Sequence, residues 1–258
     1  MRGRSRLGLM GSNMADVLVS EIEDLVFANH ILHAEGVVDS FGHVSFRSPE
    51  RPDRFFMARA MAPSQVTASD IMEFDAEGEP VDRRGRSIYS ERFIHSEVYK
   101  KRPDVNSVIH SHSPGVIPFS VTDVPLRAVM LPAYFLHTGV PVFEIRDALG
   151  MTDMLVKDAK RGRALAESLG NHAVALLRGH GDVVVAPTLR SAVSRAIYTE
   201  ANARIQMQAV MLASGGRVEY MAKEECALRD EGSVNEKPGS GHGSDRIWEA
   251  LKSVLIDK

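Results

Sequence analysis

A chain of 258 residues, with 44% hydrophobic and 25% charged residues, has the balance of an ordinary globular protein and the length to bury a substantial core. The formal net charge of −3 gives no support to a nucleic-acid-binding or anionic-membrane-binding surface. One cysteine, Cys226, excludes a disulfide framework and a paired-cysteine zinc motif, and no apolar run is long enough to span a bilayer.

The N-terminal region is basic and lacks the apolar stretch of a secretion signal. We therefore expect residues 1–14 to form a flexible tail and the protein to be cytoplasmic. Apolar residues at helical spacing predict a helix over 15–35, which Gly36 would end. Acidic neighbours disfavour a thiolate at Cys226, so we interpret this cysteine as structural.

Short strands and one helix are predicted in the region that follows. Alternating or apolar runs predict strands around Val44 and Phe46, over 55–57 and over 71–74. A helix is predicted over 90–101, because Ser90 is a candidate N-cap and two lysines stand at the negative end.

The second half of the chain alternates helices and strands. Helices are predicted over 153–169, 188–213 and 245–256, and paired strands over 173–177 and 183–186. A stretch rich in Gly, Ser and Pro over 231–243 predicts a linker, so the last helix would pack on its own domain or on a neighbouring subunit. No nucleotide-binding glycine loop interrupts this alternation. The pattern predicts one α/β domain over 15–230 with a layered sheet.

Three histidines stand where a metal site could form. His110 and His112 are two residues apart in a predicted strand, and alternate strand residues point to the same face. His180 lies between two glycines, which let backbone approach a ligand closely. Three protein ligands leave one coordination position open, which is the catalytic pattern. Histidines also satisfy polar needs at strand ends, so spacing alone leaves the metal site and an ordinary structural role both open.

The order of these motifs resembles the class II aldolase and adducin-like family over roughly residues 20 to 212. The motifs that carry the resemblance are Gly42-His43-Val44-Ser45, similar to the family's Gly-Asn-Val-Ser loop, Ser90-Glu91 at a helix start, the run from Arg102 to His112, Gly179-His180-Gly181, and the helix from Thr188 to Met211. Each motif is short and weak alone. Their order and spacing together are specific.

The resemblance implies a central β-sheet flanked by helices in three layers, and a cyclic homotetramer with its sites near subunit interfaces. It implies that His110, His112 and His180 hold one divalent ion per subunit, zinc or manganese. It also implies that Glu91 is the catalytic carboxylate beside that ion. The alternative for Glu91 is an ordinary glutamate at a helix N-terminus, where the helix dipole favours the ionised form.

Members that cleave phosphorylated sugars use a phosphate cradle, from which this chain departs. His43 stands in place of the asparagine, residues 62–65 in place of a Thr-Gly turn, and Tyr89 in place of one serine of a pair. The tyrosine that donates a proton in the sugar aldolases has no clear match, since ungapped counting reaches Val129 and Tyr134 is nearby. A site without phosphate donors discriminates against phosphate, because buried unpaired charge is costly.

These departures resemble the branch that decarboxylates hydroxylated aromatic dicarboxylates, such as the hydroxy-methylpyridine-dicarboxylate and dihydroxyphthalate decarboxylases. The stretches 39–45 and 178–181 suggest that branch. Decarboxylation leaves negative charge next to an oxygen, and a proton must then reach the ring. The candidate proton donors are Glu91, His43 and a bound water, and the candidate substrate-binding residues are Arg178, Ser45 and Tyr89. Arg47 is a further candidate cation that we interpret as a surface residue.

Three functions follow from these observations. The first is a metal-dependent carbon–carbon lyase that decarboxylates a hydroxylated aromatic mono- or dicarboxylate. The second is an aldolase acting on a small aldol, phosphorylated or not. The third is a non-catalytic binding module like the adducin head, since the fold alone does not require catalysis. The presence of Glu91 with all three histidines counts against the third function.

Overall fold

The computed structural model describes residues 7–234 and 243–256. The α-helices are α1 Leu7–Ala34, α2 Phe93–Lys101, α3 Ile117–Ser120, α4 Ile145–Leu149, α5 Ala159–Leu169, α6 Leu189–Ala213, α7 Lys223–Val234 and α8 Gly243–Ile256. Short 3₁₀ segments lie at Pro63–Gln65, Ala68–Asp70, Ser90–Arg92 and Leu131–Thr138. No helix in these two ranges is both long and apolar enough to cross a membrane.

One sheet organises this part of the chain. Its strands are β1 His43–Arg47, β2 Phe55–Ala58, β3 Ile71–Phe74, β4 Ser107–Ser111, β5 Val142–Phe143, β6 Val174–Leu177 and β7 Gly181–Ala186. The spatial order is β3-β2-β1-β4-β7-β6-β5, and the neighbouring pairs are antiparallel except β5 with β6, which is parallel.

Helices cover both faces of the sheet, which makes the fold a three-layer α/β domain. Successive residues of the central strands belong to different cores, as Val108 and Ile109 of β4 do. Val108 packs in the core formed with α2 and α5, and Ile109 in the core formed with α1 and α6. This alternation is the side-chain pattern of a β-strand buried on both sides, and it confirms the predicted fold class.

The helix boundaries differ from the sequence predictions at two N-termini. Helix α1 begins at Leu7, so residues 7–14, expected to form part of a tail, are helical, and residues 1–6 lie outside the described residues. Helix α2 begins at Phe93 after a 3₁₀ turn over Ser90–Arg92. Ser90 is not the N-cap of this segment, because Tyr89 occupies that position and no side chain caps it.

Helix α5 also begins later than predicted. It begins at Ala159 rather than at 153, because Asp158 is its N-cap and accepts a hydrogen bond from the Arg161 N–H. Residues 231–234 of the predicted linker belong to α7, and residues 235–242 lie outside the described residues.

The C-terminal helix α8 packs on its own chain, against α1 and α6. Trp248 is 1% exposed and lies under the guanidinium of Arg190, 5.3 Å from the ring centroid. Arg190 also pairs with Asp24 of α1 at 3.0 Å, which ties the three helices together. Cys226 is buried in the same core, and burial raises the pKa of its thiol.

Candidate metal centre

The sheet brings the three histidines of the sequence motif together. His110 lies on β4, His112 follows the end of that strand at Ser111, and His180 lies in the turn between β6 and β7. Because β4 and β7 are neighbours, the imidazoles converge. Their ring centroids are 5.2 Å apart for His110 and His112, 4.9 Å for His110 and His180, and 5.0 Å for His112 and His180.

Glycines make the His180 turn possible. Gly179 has a φ of +63°, a conformation that side chains rarely adopt. A Cβ on Gly181 would lie 1.9 Å from the carbonyl oxygen of Ser111, so only glycine lets β7 approach β4 this closely. The His180 N–H donates to the Leu177 carbonyl at 3.0 Å and closes the turn.

Hydrogen bonds at the far side of two rings determine which nitrogen faces the centre. His110 Nδ1 lies 2.9 Å from the Asp182 carbonyl oxygen, which can only accept, so Nδ1 carries the proton. His112 Nδ1 lies 3.0 Å from Asp39 Oδ2. Both Nε2 atoms are left buried with no hydrogen-bond partner among the described residues. Buried polar atoms are normally satisfied, so these lone pairs fit a bound cation.

Asp39 is held in place by its own loop. Its Oδ1 accepts from the Phe41 N–H at 2.8 Å and the Gly42 N–H at 3.1 Å, which leaves Oδ2 for His112. Burial alone would raise the pKa of Asp39, but the hydrogen bonds from Phe41, His112 and Gly42 lower it overall. Asp39 is therefore an ionised partner that orients His112.

Glu91 completes the donor set. Its Oε1 accepts from the Val156 N–H at 2.8 Å, and its Oε2 lies 3.7 Å from His110 Nε2 and 3.6 Å from His180 Nε2. One ligand atom from each of Glu91, His110, His112 and His180 lies within 4.8 Å of the other three. Three imidazole nitrogens and one carboxylate oxygen suit zinc and related divalent ions. We call these four residues the ligand cluster.

Burial dominates the electrostatics of the cluster. It lowers the pKa of His110 well below the ordinary value and lowers that of His180 to about 4. Burial also raises the pKa of Glu91, and the Val156 N–H opposes this only in part. Burial therefore acts against the preference for the ionised form that a helix start predicts. Glu91 lies in a 3₁₀ turn with φ −90° and ψ 17°, immediately before helix α2.

Two carboxylates not singled out from the sequence lie behind the cluster. Ser111 Oγ donates to Asp182 Oδ1, and Ser113 Oγ donates to Glu200 Oε2. The Gly115 N–H also donates to Glu200, at 2.9 Å. Burial raises the pKa of Asp182 to about 7. These contacts hold the segment that carries His110 and its neighbours.

Two of the predicted catalytic and substrate-binding residues adjoin the cluster. His43 of β1 is paired with His110 of β4, and their ring centroids are 5.1 Å apart. Tyr89 lies against His43 with a centroid distance of 4.6 Å, and its hydroxyl donates to the Met61 carbonyl at 2.5 Å. Burial raises the pKa of Tyr89.

Ser45 and Arg178 have other surroundings. Ser45 is fully buried, and its Oγ lies 2.6 Å from His95 Nδ1 and 2.7 Å from the Tyr99 hydroxyl, so it does not face a ligand in this structure. Arg178 forms an ion pair with Glu144. The pKa of Glu144 is lowered to about 2, chiefly by Arg146.

Arg47 is half-buried and bonded to backbone, and not the surface residue that the sequence suggested. It donates to four backbone carbonyls, those of Pro52, Tyr99, Arg102 and Val105. Tyr134, one open alternative for the aldolase tyrosine, packs against Phe135 and lies under the guanidinium of Arg229.

His95 is a further residue next to the site that sequence reasoning missed. It is fully buried on α2, and its Nε2 lies 2.6 Å from His43 Nδ1. Burial lowers the pKa of His95 to about 3. The sequence did contain a signal for it. His95 lies four residues after Glu91 and four before Tyr99, a spacing that places polar side chains on one face of a helix.

The sequence of this chain also matches a known protein family. The family model described as the Class II Aldolase and Adducin N-terminal domain matches residues 23–207. The chain belongs to this family. The matched class II aldolase segment begins in α1, ends in α6 and includes every residue of the ligand cluster.

Two proteins that are similar to this chain are decarboxylases. The decarboxylase tropJ of Talaromyces stipitatus is 40% identical over 198 residues, which cover 72% of this chain and 74% of tropJ. A 3,4-dihydroxyphthalate decarboxylase of Arthrobacter keyseri is 27% identical over 242 residues, covering 87% of this chain and 93% of the relative. These similarities support a lyase.

The fold is also seen in solved structures. The L-fuculose 1-phosphate aldolase from Glaciozyma antarctica superposes with a TM-score of 0.73 at 22% identity, over 92% of this chain and 90% of the aldolase. At this identity the likeness establishes the class II aldolase fold alone.

Proposed function

We propose that this protein is a divalent-metal-dependent decarboxylase of a hydroxylated aromatic carboxylate. The observation that carries the proposal is the ligand cluster together with its neighbours His43 and Tyr89, whose ring centroids are 4.6 Å apart. These two residues replace phosphate-binding residues of the sugar aldolases, and we call this region the altered cradle. The similarity to two decarboxylases points to the same reaction class.

The ligand cluster would hold one zinc or manganese ion per subunit. Bound there, a divalent ion supplies Lewis-acid stabilisation of negative charge on a substrate oxygen. His110 and His180 offer neutral nitrogen donors, because burial lowers their pKa values. A hydroxyl beside the departing carboxylate gives the substrate two adjacent oxygens to present to this centre.

Glu91 is the proposed proton carrier. Val156 holds its Oε1 at 2.8 Å, so Oε2 is directed at the histidines with little freedom to rotate away. Carbon dioxide loss leaves an electron pair on the ring carbon, which must receive a proton. A positioned carboxyl group beside the reacting carbon can deliver it, and this is general acid catalysis.

The altered cradle supports an aromatic rather than a phosphorylated substrate. His43 is linked through its ring contact to Tyr89, whose hydroxyl is bonded to Met61, next to the 62–65 turn. The three departures from the sugar-phosphate pattern therefore lie in one continuous region. An imidazole and a phenol ring offer faces and edges for an aromatic ring. We propose that this region, with Tyr89 foremost, contacts the substrate ring.

The deciding experiment measures carbon dioxide release from a panel of hydroxylated aromatic mono- and dicarboxylates by metal-loaded enzyme. The same preparation is assayed against phosphorylated sugar aldols, and a Glu91→Gln variant controls for contaminating activity. We expect release from at least one hydroxy-aromatic acid, lost in the variant. Efficient aldol cleavage without carbon dioxide release from any aromatic acid would contradict the proposal.

We further propose a homotetramer with sites near subunit interfaces. The class II aldolase resemblance supports it, as does an exposed apolar residue beside the site. Phe41 is 69% exposed with its ring 6.5 Å from His112. Light scattering should give four times the 28.3 kDa mass of one chain. A monomer at micromolar concentration would contradict this assembly.

A further inference from the structure

A buried row of four polar side chains runs from the protein interior to the ligand cluster. We call it the polar row: Tyr99, Ser45, His95 and His43. The Tyr99 hydroxyl lies 2.7 Å from Ser45 Oγ, Ser45 Oγ lies 2.6 Å from His95 Nδ1, and His95 Nε2 lies 2.6 Å from His43 Nδ1. All four residues are at most 6% exposed. Hydrogen bonds of this length between buried groups require each donor to face an acceptor.

The inner end of the row sets the direction of donation. The Tyr99 hydroxyl keeps its proton at neutral pH, because burial raises its pKa. Ser45 Oγ is the one side-chain hydrogen-bond partner of this hydroxyl among the described residues, so the hydroxyl directs its own proton to Ser45 Oγ. Ser45 then directs its own proton to His95 Nδ1. A neutral His95 with an accepting Nδ1 carries its proton on Nε2 and donates it to His43 Nδ1.

This order leaves one place for the proton of His43. Burial lowers the pKa of His95 to about 3, so this ring is neutral and carries a single N–H. His43 Nδ1 accepts from His95, and the proton of His43 is therefore on Nε2. The His43 ring is next to both His95 and His110, with ring centroids 4.8 Å and 5.1 Å away.

We propose that His95 is a positioning residue that fixes His43 in the Nε2–H tautomer, so that His43 presents a hydrogen-bond donor beside the ligand cluster and not a fourth metal-binding lone pair. His110 and His112 have the opposite arrangement, with the proton on Nδ1 and a lone pair on Nε2. The outer hydrogen-bond partners thus give His43 a donor N–H at Nε2 and give His110 and His112 a lone pair at Nε2.

The donor gives His43 a defined use. An N–H next to the metal ligands binds an anionic oxygen of the substrate, either a carboxylate or the oxygen on which charge develops. This use rests on the proposed function. The tautomer itself does not, because the hydrogen bonds of the metal-free protein determine it.

The tautomer can be measured without an assay. In metal-free protein labelled with ¹⁵N-histidine, protonated and unprotonated ring nitrogens have well-separated chemical shifts. We expect His43 to show a protonated Nε2 and an unprotonated Nδ1, with a scalar coupling across the hydrogen bond to His95 Nε2. A His43 ring protonated at Nδ1, or one with no coupling to His95, overturns the proposal even if decarboxylation is demonstrated.

Variants of His95 test the positioning role. His95→Phe keeps ring volume beside Phe55 and removes the donor, whereas His95→Gln keeps an N–H near the position of Nε2. We expect His95→Phe to populate the other His43 tautomer and to lower kcat/KM by about 10–100-fold, as loss of an outer partner typically does. His95→Gln should restore the tautomer and most of the rate. An unchanged His43 tautomer in folded His95→Phe overturns the proposal.

Ser107→Ala is the matched control. Ser107 is fully buried and donates to the Ser45 carbonyl at 2.8 Å, but it lies outside the polar row. It should lose stability with no change in the His43 tautomer. If His95→Phe does not fold, the shifts and the coupling of the unaltered protein decide the question. If no substrate is turned over by any variant, the proposed function fails and the tautomer result stands.

Discussion

Two groups of buried imidazoles lie side by side in this protein and differ in how their nitrogens are satisfied. In the polar row, both ring nitrogens of His95 and the Nδ1 of His43 have partners at 2.6 Å. In the ligand cluster, the Nε2 atoms of His110 and His112 are buried without a hydrogen-bond partner among the described residues. The same residue type therefore serves two purposes within one site.

The difference teaches that burial alone does not identify a metal ligand. Interior polar atoms are nearly always satisfied, so unsatisfied lone pairs that lie close together, as those of His110 and His112 do, fit a bound cation. The outer hydrogen bond decides which case applies. A carbonyl or carboxylate beside the outer ring nitrogen accepts that nitrogen's proton, so the inner nitrogen has a lone pair. A donor beside the outer nitrogen leaves the proton of the ring on the inner nitrogen.

The largest effect should follow from removing two cluster ligands together. The double variant His110→Ala and His112→Ala removes both unpartnered Nε2 atoms, so we expect loss of bound metal and of all turnover. Metal analysis of the purified protein is the measurement, with His33→Ala, an exposed histidine of α1, as the matched control. Full metal retention in the double variant would show that the unpartnered Nε2 atoms do not bind the metal.

Glu91→Gln sharpens the role of the carboxylate within the cluster. The amide oxygen can still accept from the Val156 N–H at the position of Oε1, so the local shape is kept. The three imidazoles already form a sufficient cage, and we expect near-full metal content. Turnover should fall by about 10²–10⁴-fold, the usual contribution of a general acid–base group. Near-normal turnover would move the proton role to His43 or water, and metal loss would make Glu91 an indispensable ligand.

Asp39→Asn tests whether the outer partner controls the lone pair of a ligand. The new amide can keep the bonds from Phe41 and Gly42 through its oxygen, but its NH₂ group then faces His112 Nδ1. His112 would favour the wrong tautomer, and we expect metal affinity to fall by about 10–100-fold. Competition with a chelator gives the affinity. Unchanged affinity in a folded variant would show that the outer bond does not govern this ligand.

Arg178→Gln should have the smallest effect, because Arg178 belongs to neither group. It is paired with Glu144 near the surface, and such pairs contribute about 0–1 kcal/mol to stability. We expect little change in the free energy of unfolding and an unchanged KM for a carboxylate substrate. Denaturant titration and steady-state kinetics are the measurements. A large rise in KM with normal stability would indicate that Arg178 binds a carboxylate of the substrate.

Sequence motifs predicted the fold and the family because they are local and ordered. The glycines around His180 and the two-residue spacing of His110 and His112 reflect constraints within a few residues of chain. The fold class and the family were confirmed. Helix starts were less well predicted, since the side chain of Asp158 and not the apolar spacing determines where α5 begins.

The roles of individual site residues depended on contacts that no local pattern encodes. Ser45 matched a family motif, yet the fold places its hydroxyl between His95 and Tyr99, which both occupy it. The raised pKa of Glu91 was not predicted for the same reason, because the helix start is visible in the sequence and the burial around it is not. Its catalytic role and that of His43 stay predictions.

The sequence by itself determined which residue types can serve a metal centre and in which order they occur, because spacing along a strand or turn controls where side chains point. Only the tertiary structure decided which imidazole nitrogen faces inward. That choice depends on partners far along the chain, such as Asp182 for His110, Asp39 for His112 and His95 for His43. A proton occupies one of two ring nitrogens according to the acceptor that folding places beside it.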